Sequence, residues 1–156
     1  MAIEIERKYR VRTLGGLSLP EGVRIEQGYL TKSGCTVRVR TKGPRGFLTL
    51  KFPAEKPRKA GAPLERREFE YEIPPDDARE LLGLSRFTLS KTRHLLPGGV
   101  ELDVFHGRHE GLVLAEYESA DGSQPEPIPG VEWVEVTDDR RYSNRWIAEH
   151  GVPPEE

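Results

Sequence analysis

The sequence predicts a mainly β, α+β domain whose strands form a barrel or a sandwich. Three observations carry this. Nine short runs alternate between apolar and polar residues, Gly and Pro clusters separate them at hairpin spacing, and charged residues recur two apart at the strand centres. The runs fall near residues 2–11, 24–31, 35–42, 46–53, 64–73, 86–96, 99–106, 112–119 and 131–137. Turn signals stand at Ser33-Gly34, Gly43-Pro44-Arg45-Gly46, Pro97-Gly98-Gly99 and His109-Glu110-Gly111. Two helices are predicted. "PPDDARELLGL" has Pro and Asp at its start, with Leu81, Leu82 and Leu84 to one side, and "RYSNRWIAEHG" has Ser143 or Asn144 as N-cap and Gly151 as its stop. Residues 53–63 read as a mobile, Pro- and charge-rich loop, and 120–130 as a loop stiffened by prolines.

Composition narrows the function. Charged residues make up 32% of 156 residues, yet the net charge is only −2, which argues against a basic coat for nucleic acid or an anionic membrane. The single Cys35 excludes an internal disulfide and a cysteine-rich metal site. No apolar run is long enough for a membrane span, and the charged N-terminus lacks a signal peptide's apolar region, so a cytoplasmic protein is expected.

The charges follow strand parity. In "IEIERKY", Glu4, Glu6 and Lys8 share one face while Ile3, Ile5 and Tyr9 share the other. The same holds for Arg38 and Arg40 against Val37 and Val39, and for Lys51 against Leu48, Leu50 and Phe52. Glu68, Glu70 and Glu72 stand against Phe69, Tyr71 and Ile73, and Glu101 and Asp103 against Val100, Leu102 and Val104. Lys91 with Arg93, and Glu116 with Glu118, complete the set less cleanly. Leu89 and Leu95 share parity with the first pair, and Leu112 and Leu114 with the second.

For one strand, a solvated outer face explains such a pattern. Seven strands with paired charges of both signs fit a closed sheet whose lumen is charged and whose apolar face points outward. Charges packed so closely must neutralise one another or hold a charged ligand. Lys8, Arg38, Arg40, Lys51, Lys91 and Arg93 can wrap a polyanion. Glu4, Glu6, Glu68, Glu70, Glu101, Asp103, Glu116 and Glu118 offer the oxygen ligands that hard divalent cations prefer. Both sets together suit phosphoryl chemistry on a polyphosphate. No Walker A loop is present.

These residues resemble the CYTH superfamily, the triphosphate tunnel metalloenzymes. Glu4-x-Glu6-x-Lys8 resembles its ExExK signature. "QGYL" at 27–30, "VRVR", "LTLK", "REFEYEIP", "KTR", "ELDVF", "LAEYE" and "DDRRYSN" follow in order across nearly the whole chain. The resemblance implies a closed eight-stranded antiparallel β-barrel, a tunnel with a charged lumen, as one domain over 1–150 with a short tail at 151–156. It implies binding and hydrolysis of a triphosphate with Mg²⁺ or Mn²⁺. The short bacterial members resemble inorganic tripolyphosphatases; others are thiamine triphosphatases, RNA 5′-triphosphatases or class IV adenylyl cyclases.

By the same resemblance, Glu4, Glu6, Glu116 and Glu118 are metal ligands, joined by Asp103, while Lys8, Arg38, Arg40, Lys51, Lys91 and Arg93 bind phosphate. Glu68, Glu70 and Glu101 are supporting tunnel carboxylates; Glu68, Glu70 and Asp103 either complete a second metal site or orient the basic residues. Lys8 and Tyr29 are the catalytic candidates. Beside Lys8, Tyr29 either has a lowered pKa and helps activate water, or is a packing tyrosine with a hydrogen-bonded hydroxyl. The C-terminal helix is expected to close one tunnel end, with Arg141 facing the lumen.

Other residues read as structural. His94 lies outside the lumen, His106 and His109 lie at the surface, Cys35 is a small filler, and Trp133 and Trp146 pack in the core or plug. The outward faces of Val37, Val39, Leu48, Leu50, Phe69 and Tyr71 raise a homodimer. Against hydrolysis stand two rival readings. One is adenylyl cyclisation in the same tunnel, which needs a base pocket; the other is a non-catalytic polyphosphate-binding module.

Overall fold

The structure is a computed structural model and describes residues 3–31 and 34–155. Nine strands form: β1 (Ile3–Thr13), β2 (Val23–Tyr29), β3 (Thr36–Lys42), β4 (Arg45–Pro53), β5 (Leu64–Ile73), β6 (Phe87–Leu95), β7 (Glu101–Phe105), β8 (Val113–Glu118) and β9 (Glu132–Glu135). Two helices accompany them, α1 (Pro75–Leu84) and α2 (Asn144–His150). The predicted turn at Ser33-Gly34 falls partly outside the described residues, because Ser33 is not among them.

All pairings are antiparallel, in the order β5-β4-β3-β2-β6-β7-β8-β1, and β1 also pairs with β5. That last pairing closes eight strands into a barrel. β1 achieves it through its length. Along one edge its first residues meet β5 (Glu4 opposite Arg66), while on the other Glu6–Arg10 meet β8. Its distal part then leaves the ring and pairs with β9, with a register shift between Val11 and Thr13. The extra strand therefore extends β1 and is no part of the ring.

Local chemistry sets the ends of these elements. β3 and β4 are joined by Gly43-Pro44, with Lys42 opposite Arg45. Gly43 has φ +56° and Pro44 is held to negative φ, the signs that a type II′ hairpin turn requires. α1 begins with Pro75 in its first turn and Asp76 and Asp77 near its positive end. It lies on the outer face of β2, β3 and β4. Its buried residue is Ala78, and a Cβ on Gly46 would come within 2.8 Å of the Ala78 Cβ, so helix and strand approach closely because Gly46 has no side chain. Leu84, predicted on the apolar side, is exposed.

α2 accounts for the imperfect parity in the sequence. Tyr29, Leu89, Phe105, Leu112 and Leu114 share parity with the lumen charges, and they form a buried apolar cluster with Tyr142, Ile147 and Ala148. The barrel interior is thus charged along most of its length and apolar at the end that α2 plugs. Ser143 caps this helix by accepting from the Trp146 amide at 3.1 Å. His109 is not at the surface as its turn position suggested. It is 1% exposed, and its Nε2 lies 2.9 Å from the Ile147 carbonyl, while Arg108 bonds the Ala148 carbonyl. These two donors satisfy carbonyls at the end of α2 and dock the plug. A second apolar cluster, around Tyr9, Val11, Val100, Leu102 and Ala115, lies outside the barrel under Trp133, which stacks on Tyr9 at 4.7 Å.

The basic loop at 53–63 is not free: Arg58 pairs with Asp138, and the Gly61 amide donates to the same carboxylate. Among the described residues, no helix is long and apolar enough to cross a membrane.

Candidate active site

Strand parity turns the charged side chains inward, where they line a cavity of about 600 Å³. β1 contributes Glu4, Glu6 and Lys8, β3 contributes Arg38, Arg40 and Lys42, and β4 contributes Lys51. Arg66, Glu68 and Glu70 come from β5, Lys91 and Arg93 from β6, Glu101 from β7, and Glu116 and Glu118 from β8. Tyr29 and the start of α2, at Ser143, Asn144 and Arg145, complete the lining.

The register sets opposite charges across from one another. Glu4 stands opposite Arg66, Lys8 opposite Glu116, Lys51 opposite Glu68, and Arg93 opposite Asp103. At the β1–β5 seam, Arg66 Nη2 lies 3.1 Å from Glu4 Oε1 and 2.8 Å from Glu6 Oε1. Lys51 Nζ lies 3.3 Å from Glu4, and Lys8 Nζ lies 3.9 Å from Glu6 and 4.0 Å from Glu116. On the facing wall, Glu70 Oε2 accepts from Arg40 at 3.2 Å, from Arg38 at 3.4 Å and from Thr49 Oγ1 at 2.8 Å. Toward the plug, Lys91 Nζ lies 2.8 Å from Asp103 and 2.7 Å from Asn144 Oδ1. The Nε atoms of Arg38, Arg40 and Arg66 are buried without a hydrogen-bond partner among the described residues.

Residues 2–124 match the CYTH domain family. The chain belongs to that family. It is 36% identical over 152 residues to a protein of Acetivibrio thermocellus named inorganic triphosphatase, covering 92% of each chain. A second protein of that name, from Nitrosomonas europaea, is 36% identical over 154 residues, covering 93% of this chain and 96% of the relative. A solved structure of an inorganic triphosphatase superposes with a TM-score of 0.64 at 34% identity, covering 99% of both chains. The fold expected from the sequence, a closed eight-stranded antiparallel barrel, is the fold observed.

Two residues of this CYTH tunnel stand apart from their expected places. Asp103 was expected among metal ligands, but it is fully buried behind the lining, with both carboxylate oxygens engaged. Arg93 grips them at 2.8 and 2.9 Å, and Lys91 adds a third contact. Arg141 does not line the tunnel; it pairs with Asp139 at 2.6 Å beside a separate outer cavity. The surroundings of Tyr29 work against the activated form. Complete burial pushes its phenol up rather than down, and its hydroxyl accepts from Gln27 Nε2 at 2.7 Å. The hydrogen bond expected of the packing alternative is present.

Sequence reasoning passed over Arg66, Lys42 and Asn144. The first two carried a signal, since Arg66 has the parity of Glu68 and Glu70, and Lys42 that of Arg38 and Arg40. Asn144 ends the "DDRRYSN" segment of the family resemblance, but its reach into the lumen depends on where α2 docks.

Within two pairs of carboxylates in the CYTH tunnel, one member is pushed up and the other down. Burial, with the Glu116 carboxylate beside it, pushes Glu6 up to about 7. Burial alone would raise Glu116 too, but Lys8, Lys91, Arg93 and a hydrogen bond from Glu6 hold it well below the usual range. Glu68 is likewise pushed up to about 7, by burial and by its hydrogen bond to Glu4. Burial works against Glu4 as well, yet that hydrogen bond, Lys51 and Arg66 bring it down to about 2. Burial lowers Lys51 and Lys91 to about 8.

This donor set fits a divalent cation chemically. Hard oxygens from β1 and β8 face one another, and protons and basic side chains now balance them. Among the described residues, however, no three acidic, His or Cys side chains already converge as a metal cluster.

The same shifts predict how stability follows pH in EDTA. Folded Glu6 and Glu68 keep their protons up to about 7, whereas a glutamate at its ordinary value of 4.5 has lost its own. Between those values the folded chain holds more protons, so raising the pH favours unfolding. Below 4.5 the sign reverses, because Glu4 stays ionised down to about 2. Between about 8 and 10.5, Lys51 and Lys91 release protons first in the folded chain, and stability rises again. The urea midpoint should therefore pass through a local maximum near pH 4.5, be lower at pH 7, and recover above pH 8. A midpoint that climbs steadily from pH 5 to 7 would contradict these assignments.

Proposed function

We propose that this protein hydrolyses inorganic tripolyphosphate to pyrophosphate and phosphate, using a divalent metal, Mg²⁺ or Mn²⁺, inside the barrel. One observation carries the reading: a single enclosed lumen holds a basic wall and an acidic wall, in a chain 36% identical to two inorganic triphosphatases. Lys8, Arg38, Arg40, Lys51, Lys91 and Arg93 bind the phosphates, with Arg66 and Lys42 in reach of the same lumen. Glu4, Glu6, Glu116 and Glu118 would hold the metal, which would supply charge neutralisation at the phosphates. Glu68, Glu70 and Glu101 orient basic side chains, and Asp103 fixes Lys91 and Arg93 from behind.

Lys8 lines the lumen within about 4 Å of Glu6 and Glu116, where it can neutralise charge as it develops on the phosphates. Tyr29 serves as a hydrogen-bond donor. Its oxygen accepts from Gln27, which leaves its own proton free to turn into the cavity it lines. Water adds to a terminal phosphorus, the P–O–P bond breaks, and pyrophosphate leaves.

The lining is nearly all charged, with Ile3 and Tyr29 the principal apolar surfaces, so little there would hold a nucleobase. Phosphate release should be compared on tripolyphosphate, ATP, thiamine triphosphate and pyrophosphate, with Mg²⁺, with Mn²⁺ and with EDTA. Tripolyphosphate should be the best substrate and EDTA should abolish its turnover. Cyclic AMP from ATP would establish the cyclase instead, and tight binding without turnover a binding module.

The same reading places the protein in the cytoplasm, where its lone thiol stays reduced. Self-association is part of it too. α1 packs over β3 and β4, where Val39 is fully buried, but Phe69 and Tyr71 remain exposed on β5. A pure monomer by light scattering at micromolar concentration would remove it.

A further inference from the structure

Arg66 occupies the position that the proposed metal needs. It stands on β5 directly opposite Glu4, and one of its nitrogens, Nη2, hydrogen-bonds both Glu4 Oε1 at 3.1 Å and Glu6 Oε1 at 2.8 Å. Among the described residues no other basic side chain holds both carboxylates. Lys51 reaches Glu4 but also approaches Glu68 at 3.8 Å, and Lys8 approaches Glu6 only at 3.9 Å. Glu6 is buried, so its ionised form, the one that binds metal, requires a positive partner at short range. Arg66 meanwhile has spare capacity, because its Nε is buried with no partner among the described residues while its side chain lines the cavity.

We infer that Arg66 is a resident counter-cation: it holds Glu4 and Glu6 in the metal-free protein, divalent metal displaces it, and its guanidinium then turns to the polyphosphate. The inference rests on the proposed function, which assigns Glu4 and Glu6 to the metal. Guanidinium and metal compete for the same oxygens, so metal alone binds more weakly than the acidic wall allows. A polyphosphate gives the displaced guanidinium a new partner, so metal and polyphosphate each strengthen the binding of the other. Arg66 is therefore a positioning residue that couples the two ligands.

The test is titration of substrate-free protein with Mn²⁺, following free Mn²⁺ by electron paramagnetic resonance. It is run on wild type, Arg66→Gln, Arg66→Lys and Glu6→Gln, with and without diimidotriphosphate, whose P–N–P links resist cleavage. Arg66→Gln should bind Mn²⁺ at least about five-fold more tightly than wild type, the lower end of typical coupling between sites. It should also lose most of the tightening that diimidotriphosphate produces in wild type. Arg66→Lys keeps the charge but spans the two carboxylates poorly, so it should shift the same way by less, and it serves if the glutamine variant does not fold.

Unchanged or weaker Mn²⁺ binding in both Arg66 variants, with Glu6→Gln still weakening it, overturns the counter-cation while leaving the metal site standing. Mn²⁺ binding indifferent to Glu6→Gln overturns the metal assignment and the counter-cation together.

Discussion

Replacing Asp103 with alanine should cost the fold about 3–5 kcal/mol, the scale seen when one partner of a buried ion pair is removed. Asp103 has no exposed surface, and it neutralises two cations at once: Lys91, 2% exposed, and Arg93. Alanine removes both partnerships and leaves Lys91, among the described residues, with only the Asn144 amide oxygen at hydrogen-bonding distance. Burial already brings Lys91 down to about 8, with Asp103 as the main force opposing it. Without Asp103 the amine should become neutral at physiological pH. Arg93 cannot deprotonate, and it would turn toward Glu101 and Glu116, at 3.3 and 3.9 Å.

Urea unfolding of wild type, Asp103→Ala, Asp103→Asn and Glu101→Ala separates burial from pairing. Asparagine keeps one acceptor and should cost less than alanine. Glu101, whose side chain is a third exposed, should cost least. A loss below about 1 kcal/mol in Asp103→Ala, the range of exposed pairs, would show that this triad is not a structural brace.

Asp103 also marks the limit of what alternation conveys. Parity says which way a side chain points, and it placed Asp103 in the lumen with Glu101. It does not say how deep in the barrel a residue sits or which cation reaches it first. That was decided by the β6–β7 register, which sets Arg93 opposite Asp103. Residues made prominent by local pairs were legible for the same reason that Arg66 was not. Glu68 and Glu70 form a like-charged i, i+2 pair, whereas Arg66 extends it with the opposite sign and belongs energetically to β1, 60 residues away in sequence.

The breaks in alternation carried information as well. Leu89, Leu112 and Leu114 disturb the charged parity because the lumen ends in an apolar floor beneath Ile147. Nothing within β6 or β8 reveals α2, so that floor and the buried His109 beside it required the tertiary structure. Barrel closure depended on β1 being long enough to hold β5 and β8 on opposite edges.

On the chemistry, Arg40→Ala should lower kcat/KM for tripolyphosphate by about 10²–10³-fold, the cost of removing one preorganised donor from a charge-stabilising site. Arg40 lies on the basic wall, 8% exposed. One Nη2 contact reaches Glu70 at 3.2 Å, and its Nε is buried without a partner among the described residues, which leaves donors free for phosphate oxygens. Crowding by burial and by Arg38 lowers even this guanidinium to about 10, so an anion between the two would relieve a repulsion as well as form hydrogen bonds.

Arg40→Lys should recover only part of the loss, because an ammonium supplies the charge without the fork. Glu6→Gln should match the alanine variant in magnitude but differ in kind. It keeps the shape of the side chain and removes a carboxylate charge from the acidic wall, so more metal should restore part of its rate and more substrate should not. Arg40→Ala should respond to substrate and remain indifferent to metal. If the two variants responded alike to both, the division of the lumen into a phosphate wall and a metal wall would be wrong, and the carboxylates would act only by holding the basic side chains in place.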